Sequence, residues 1–110
     1  MMMESEYRKR MEEIFARIEK ALENVDPDLA ECEQAMGALS VTFGNQSKCI
    51  LSAQPTIGQL WLALASRGTA YHFNFDSISN SWIDDKGLGI ELVGLLEKYF
   101  QETTGLEVRL

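Results

Sequence analysis

Apolar residues recur along this chain with two different periods, and the switch between them divides it into three zones. In the first zone the apolar positions are Tyr7, Met11, Ile14, Phe15, Ile18, Leu22 and Val25, separated by steps of 4, 3, 1, 3, 4 and 3. Those steps draw one stripe along a helix, predicted from about Ser5 to Val25. Asp26-Pro27 ends it, because proline disfavours the α conformation in the residue before it. The middle zone has period two. Leu39, Val41 and Phe43 alternate with Ser40 and Thr42, and Gly44-Asn45-Gln46-Ser47 has the composition of a hairpin turn. A second strand follows through about Ala53, with an unsettled register because Cys49 and Leu51 alternate with an equally apolar Ile50. Next, Leu60, Leu62 and Leu64 alternate with Gln59, Trp61 and Ala63. After a turn at Ser66-Arg67-Gly68, Tyr71, Phe73 and Phe75 alternate with His72 and Asn74. A short strand around Trp82 and Ile83 closes the meander. The last zone returns to helical spacing from about Leu88 to Thr103, through Leu88, Leu92, Leu95, Leu96 and Tyr99, with Gly105 as its stop. The tail from Leu106 to Leu110 alternates again.

Short connections imply antiparallel pairing. Two helices with apolar stripes and a sheet with one apolar face make an α+β fold. The expected architecture is a two-layer α-β sandwich, with the N- and C-terminal helices on one face of an antiparallel five- to six-stranded sheet. The 110 residues are expected to form a single domain.

Composition narrows the function. Apolar residues make up 45% of the chain, which argues against disorder. The longest unbroken apolar run, Leu60 to Ala65, is far shorter than a membrane span. Met1 to Arg10 mixes charges of both signs, unlike a signal peptide, and Glu4 and Glu6 set it apart from an Arg/Ser-rich transit sequence. With 17 acids against 10 bases the net charge is −7, which argues against binding a phosphate backbone. No nucleic-acid or membrane partner is expected. Cys32 and Cys49 form no CxxC pair and read as reduced thiols of a cytoplasmic protein.

The charge is unevenly spread. Ten acids and five bases lie at or before Glu33, and seven acids and three bases at or after Asp76; between them stand only Lys48 and Arg67. At about 100° per residue, Glu12, Glu19, Glu23 and Asp26 form one band beside the apolar stripe of the first helix. Asp28, Glu31 and Glu33 carry the negative charge past its end. On the sheet, alternation sends Trp61, His72 and Asn74 to the face away from the helices. That face would show glutamines, hydroxyls, an indole and an imidazole with almost no charge. Interface centres are rich in aromatics and poor in charge, so partner binding competes there with the plainer reading that a loop or strand neighbour covers Trp61.

Carboxylates without neighbouring histidine or cysteine are hard oxygen ligands, suited to magnesium, calcium, manganese or iron. Glu19 and Glu23, one turn apart, can approach one ion, with Asp26 a turn further on. Nothing closes a coordination shell, so such a site is open and weak, and on spacing alone a solvated helix face that aids solubility is the simpler account. A ridge of one sign also speeds encounter with a basic partner. Catalysis has little support. His72 has no nucleophile beside it in sequence, Gly87-Leu88-Gly89 lacks the rest of a phosphate-binding pattern, and Glu31 and Glu33 are expected to raise the Cys32 pKa and quiet the thiol.

Several segments together resemble one family. The acidic N-terminal helix is followed by Phe43-Gly44-Asn45-Gln46-Ser47-Lys48, Gln54-Pro55, Gln59-Leu60-Trp61-Leu62-Ala63, Tyr71-His72-Phe73 and Trp82-Ile83-Asp84, with Leu92 to Glu97 in the closing helix. This pattern is similar to the frataxin family in its bacterial form and covers nearly the whole chain. The resemblance implies an α-β sandwich that binds iron (ferrous or ferric) weakly and serves iron–sulfur cluster assembly as a monomer. It implies a non-enzymatic regulator of the cysteine desulfurase and iron–sulfur scaffold complex, with a ferroxidase acting on ferrous iron at the same ridge as the alternative. Carried over by position, Glu19, Glu23 and Asp26 would be iron ligands, with Asp28 and Glu31 as looser members. Trp61, Gln59 and Gln54 would meet the partner on the sheet, and Glu12, Glu19 and Glu23 on the helix. His72 matches a family histidine. Lys20 and Asn24 stand where the family commonly has acids, which thins the ridge, and Phe15 replaces a common tryptophan within the apolar stripe.

Overall fold

The first apolar stripe folds as helix α1 (Glu4–Leu22) in the computed structural model, which describes residues 2–110. Tyr7, Ile14, Phe15, Ile18 and Leu22 are its buried face, and Glu4 and Glu6 sit in its first turn, where acids favour the helix dipole. The helix stops three residues short of the expected Val25. The Glu23 N–H turns back to the Lys20 carbonyl and the Val25 N–H to that of Leu22, so the last turn tightens before Pro27 is reached.

Six strands follow as β1 (Ala30–Ala35), β2 (Ala38–Phe43), β3 (Lys48–Gln54), β4 (Gln59–Leu64), β5 (Thr69–Asp76) and β6 (Ser81–Asp84). They form one antiparallel meander in sequence order. Strand β1 was not expected, because Asp28, Glu31 and Glu33 read only as an extension of the acidic band. Its alternation is real but faint, with Ala30 buried, Cys32 half-buried, and glutamates between and beyond them. The register also settles β3. Cys49 and Leu51 face the core opposite Leu64 and Leu62, and Ile50 is left outside at 37% exposed. The turns at residues 44–47 and 66–68 form as expected, with Gly68 closing the second at a φ of 61°.

Helix α2 (Leu92–Thr104) begins four residues later than expected. Glu91 caps it, its carboxylate accepting from the N–H groups of Val93 and Gly94. Leu88, expected on the helix, stands 65% exposed in the loop after β6. Gly105 ends the helix in the left-handed conformation, as predicted. Residues 106–110 add no strand. Val108 is buried there, and Leu110 is tied to both helices, donating to the Glu97 carboxylate and accepting from Arg17.

Both helices cover one face of the sheet, and a single core joins the α1 stripe, the inward side chains of β2 to β6 and Leu92, Leu96, Tyr99 and Phe100 of α2. Phe43 meets the Tyr99 ring edge-on at 5.6 Å, and Trp82 packs edge-on against Tyr7 and Phe75. The architecture is the expected two-layer α-β sandwich, with six strands.

Candidate functional site

Cross-strand pairs share a face, so the register fixes what the sheet shows on its uncovered side. One row runs Ala38, Ser52, Trp61 and His72; flanking rows bring Ser40, Ile50, Ala63 and Ala70 on one side and Gln54, Gln59, Asn74 and Ile83 on the other. Charge is confined to the edges of this face. Trp61 and His72 therefore point outward as expected, and the structure adds that they touch. The indole stacks on the imidazole with ring centroids 4.3 Å apart and planes 17° from parallel.

A polar chain surrounds that stack. Trp61 Nε1 donates to Gln59 Oε1 at 2.9 Å, and Gln59 Nε2 donates to Asn74 Oδ1 and to Asp85 Oδ2, each at 3.2 Å. Asp85 in turn lies 3.5 Å from His72 Nδ1 and donates its own N–H to the His72 carbonyl at 2.8 Å. Asp85 was missed by sequence reasoning. It lies thirteen positions after His72 in a loop, and only the β5–β6 pairing brings the two together. Gln54 sits opposite Gln59 in the β3–β4 hairpin. The Tyr7 hydroxyl anchors that hairpin to α1, donating to the Gln59 carbonyl at 2.7 Å and accepting from the Gln54 N–H at 3.0 Å. Burial pushes the Tyr7 phenol up, against the opposing pull of the Gln54 N–H, so it remains a neutral donor.

The second surface is the acidic edge. Glu12, Glu19, Glu23, Asp26, Asp28 and Glu31 are all exposed, and among the described residues none takes part in an ion pair. A shallow groove of about 730 Å³ runs between α1 and β1, lined by Glu19, Glu23 and Glu31 together with Lys20 and Cys32. Glu31 borders this groove from the edge strand, but its pairing with Thr42 puts its side chain on the uncovered face of the sheet, so the structure groups Glu19 and Glu23 without it. Asp26, Asp28 and Glu12 are not on the groove. Asp26 Oδ1 instead accepts the Asp28 N–H at 2.9 Å and closes the turn into β1.

Among the described residues no three His, Cys, Asp or Glu side chains are placed to hold a metal as a group. The groove carboxylates suit a hydrated, oxygen-preferring cation bound loosely, and no closed cage. Cys32 adds little reactivity, since its thiol is pushed up to about 11, first by burial and then by Glu19. The neighbours expected to do this, Glu31 and Glu33, are not the cause, because alternation along β1 turns them to the other face of the strand. Cys49 is raised to about 12, again chiefly by burial.

Comparison with known proteins agrees with this fold. The family model for the frataxin-like domain matches residues 1–106. The iron-sulfur cluster assembly protein CyaY of Tolumonas auensis is 36% identical over 99% of this chain and 99% of its own length. That of Azotobacter vinelandii is 35% identical over 96% and 92%. Among solved structures, frataxin from Psychromonas ingrahamii superimposes with a TM-score of 0.84 at 25% identity, covering 98% of this chain and 97% of that one. Trimeric yeast frataxin from Saccharomyces cerevisiae, complexed with ferrous iron, shares the fold with a TM-score of 0.65 at 17% identity, covering 94% and 86%. By its matched length, its relatives and its topology, the chain belongs to the frataxin-like family.

Proposed function

We propose that this protein is a non-enzymatic, iron-responsive adaptor of iron–sulfur cluster assembly that docks on the cysteine desulfurase and scaffold complex. The observation that carries the reading is the separation of two surfaces on one small fold. An unpaired negative edge stands on α1 and β1, and a neutral aromatic plane stands on the sheet. The edge would draw in a basic groove on the desulfurase, and the plane, centred on Trp61 with Gln59 and Gln54, would supply desolvated contact. Ferrous iron is the cargo or signal here. Bound loosely at Glu19 and Glu23, it would cancel part of the charge that attracts the partner and so couple metal supply to affinity. The absence of ion pairs on those acids supports the reading, since no internal cation has to be displaced.

The same exposure argues against ferroxidase chemistry, which needs ligands held in a fixed set. We take the working form to be a monomer, because a charge of −7 repels a second copy, and the compartment to be the cytoplasm, where the free thiols Cys32 and Cys49 persist. Binding of the purified desulfurase–scaffold complex, measured with and without ferrous iron, tests the proposal. Glu19→Ala with Glu23→Ala should weaken binding about tenfold and remove its iron dependence. Unchanged affinity in the double variant would overturn the role of the edge.

A further inference from the structure

Docking through the neutral sheet face does not by itself explain why a half-exposed indole is so heavily tethered. A surface tryptophan on a strand ordinarily has more than one rotamer open to it. Trp61 is held at two points, by the His72 ring stacked on its face and by Gln59 at its nitrogen. Gln59 has the chemistry its place requires. The indole N–H is a donor with no acceptor, and the Asp85 carboxylate is an acceptor with no donor. A side chain bridging them must accept at one end and donate at the other, as a primary amide does. A glutamate of the same shape would satisfy Trp61 but set its charge against Asp85.

Asp85 is a firm anchor rather than a dangling acid. Its N–H is bonded to the His72 carbonyl, and the preceding Asp84 locks the loop by accepting from the N–H groups of Lys86, Leu88 and Ile90 at 3.1, 3.0 and 2.7 Å. The chain of contacts therefore runs from a rigid loop through Asp85 and Gln59 to the indole. We propose that Gln59 and Asp85 are positioning residues that hold Trp61 and His72 as one preoriented plate, so that the partner meets it without having to order it. This role rests on the docking function proposed for the sheet face. Rigidity before binding raises affinity by removing an entropic cost that a mobile ring would incur.

The test uses Gln59→Glu and the double variant Gln59→Glu with Asp85→Asn. In the double variant the new asparagine donates to the new glutamate, which still accepts from Trp61. Two readouts are taken on the full chain: hydrogen exchange at the Trp61 indole N–H in the free protein, and affinity for the purified desulfurase–scaffold complex. Buried Trp82, 4% exposed, serves as the internal reference, and thermal unfolding reports whether each variant folds. Gln59→Glu should speed exchange at Trp61 alone and weaken binding about three- to tenfold, and the double variant should restore both. Unchanged exchange in Gln59→Glu would overturn the positioning role. So would a double variant as weak as the single, which would mean that Gln59 touches the partner itself. Trp61→Ala separates the two proposals: if it leaves affinity unchanged the docking face is wrong, whereas the exchange measurement still decides what Gln59 does to the ring.

Discussion

At the scale of single residues, Asp84 shows how a buried charge is tolerated. It is 8% exposed, and burial works against its ionised form. Its three backbone N–H donors more than offset that penalty, so the carboxyl is held below its ordinary value. A depressed native pKa contributes stability that is fully present above the unfolded value, about 3.9, and is lost as pH falls through the native one. Asp84→Asn replaces one acceptor oxygen with an NH₂ that faces donors. The variant should melt several degrees below the parent at neutral pH, and thermal scans of the two should converge in acid as the parent's carboxyl protonates. A gap that persists undiminished in acid would show that shape, not charge, matters there. Asp76 is held low in the same direction by Ser79 and the Ile78 N–H, but in an exposed turn.

At the scale of elements, the acidic edge depends on how the loop after α1 is pinned. The Leu29 N–H returns to the Asp26 carbonyl, and the Gly44 N–H reaches across from the β2–β3 turn to the Leu29 carbonyl. A side chain at position 44 would place its Cβ 2.6 Å from the Asp28 carbonyl oxygen, a backbone atom that has no room to yield. Gly44→Ala should cost about 1–3 kcal/mol, read as a lower denaturant midpoint with an unchanged slope. It should also displace β1, and with it Glu31 from the groove. A neutral substitution would mean the loop is free to move. The same neighbourhood explains why β1 was hard to recognise. An edge strand that buries one alanine fully and one cysteine in part offers little contrast to read, whereas β2 and β4 bury three large side chains each.

At the scale of the whole molecule, charge and contact are assigned to different sides. Electrostatic steering by the α1–β1 edge is screened by salt, since the Debye length falls from about 10 Å at 0.1 M to about 3 Å at 1 M. Stopped-flow association with the desulfurase–scaffold complex should therefore slow about tenfold or more between these concentrations while dissociation changes little. An on-rate indifferent to salt would remove steering from the account. The chain by itself determined the sandwich, the inward faces of β2, β4 and β5, the acidic band and the outward Trp61. Each follows from a local period, and burying an apolar stripe leaves little choice about where the remaining side chains go. Folding in three dimensions decided what lies together across distance: the stack of Trp61 on His72, the reach of Asp85 to Gln59, and the groove between α1 and β1. Those depend on strand register and on an edge strand lying beside a helix, and neither is set by spacing along the chain.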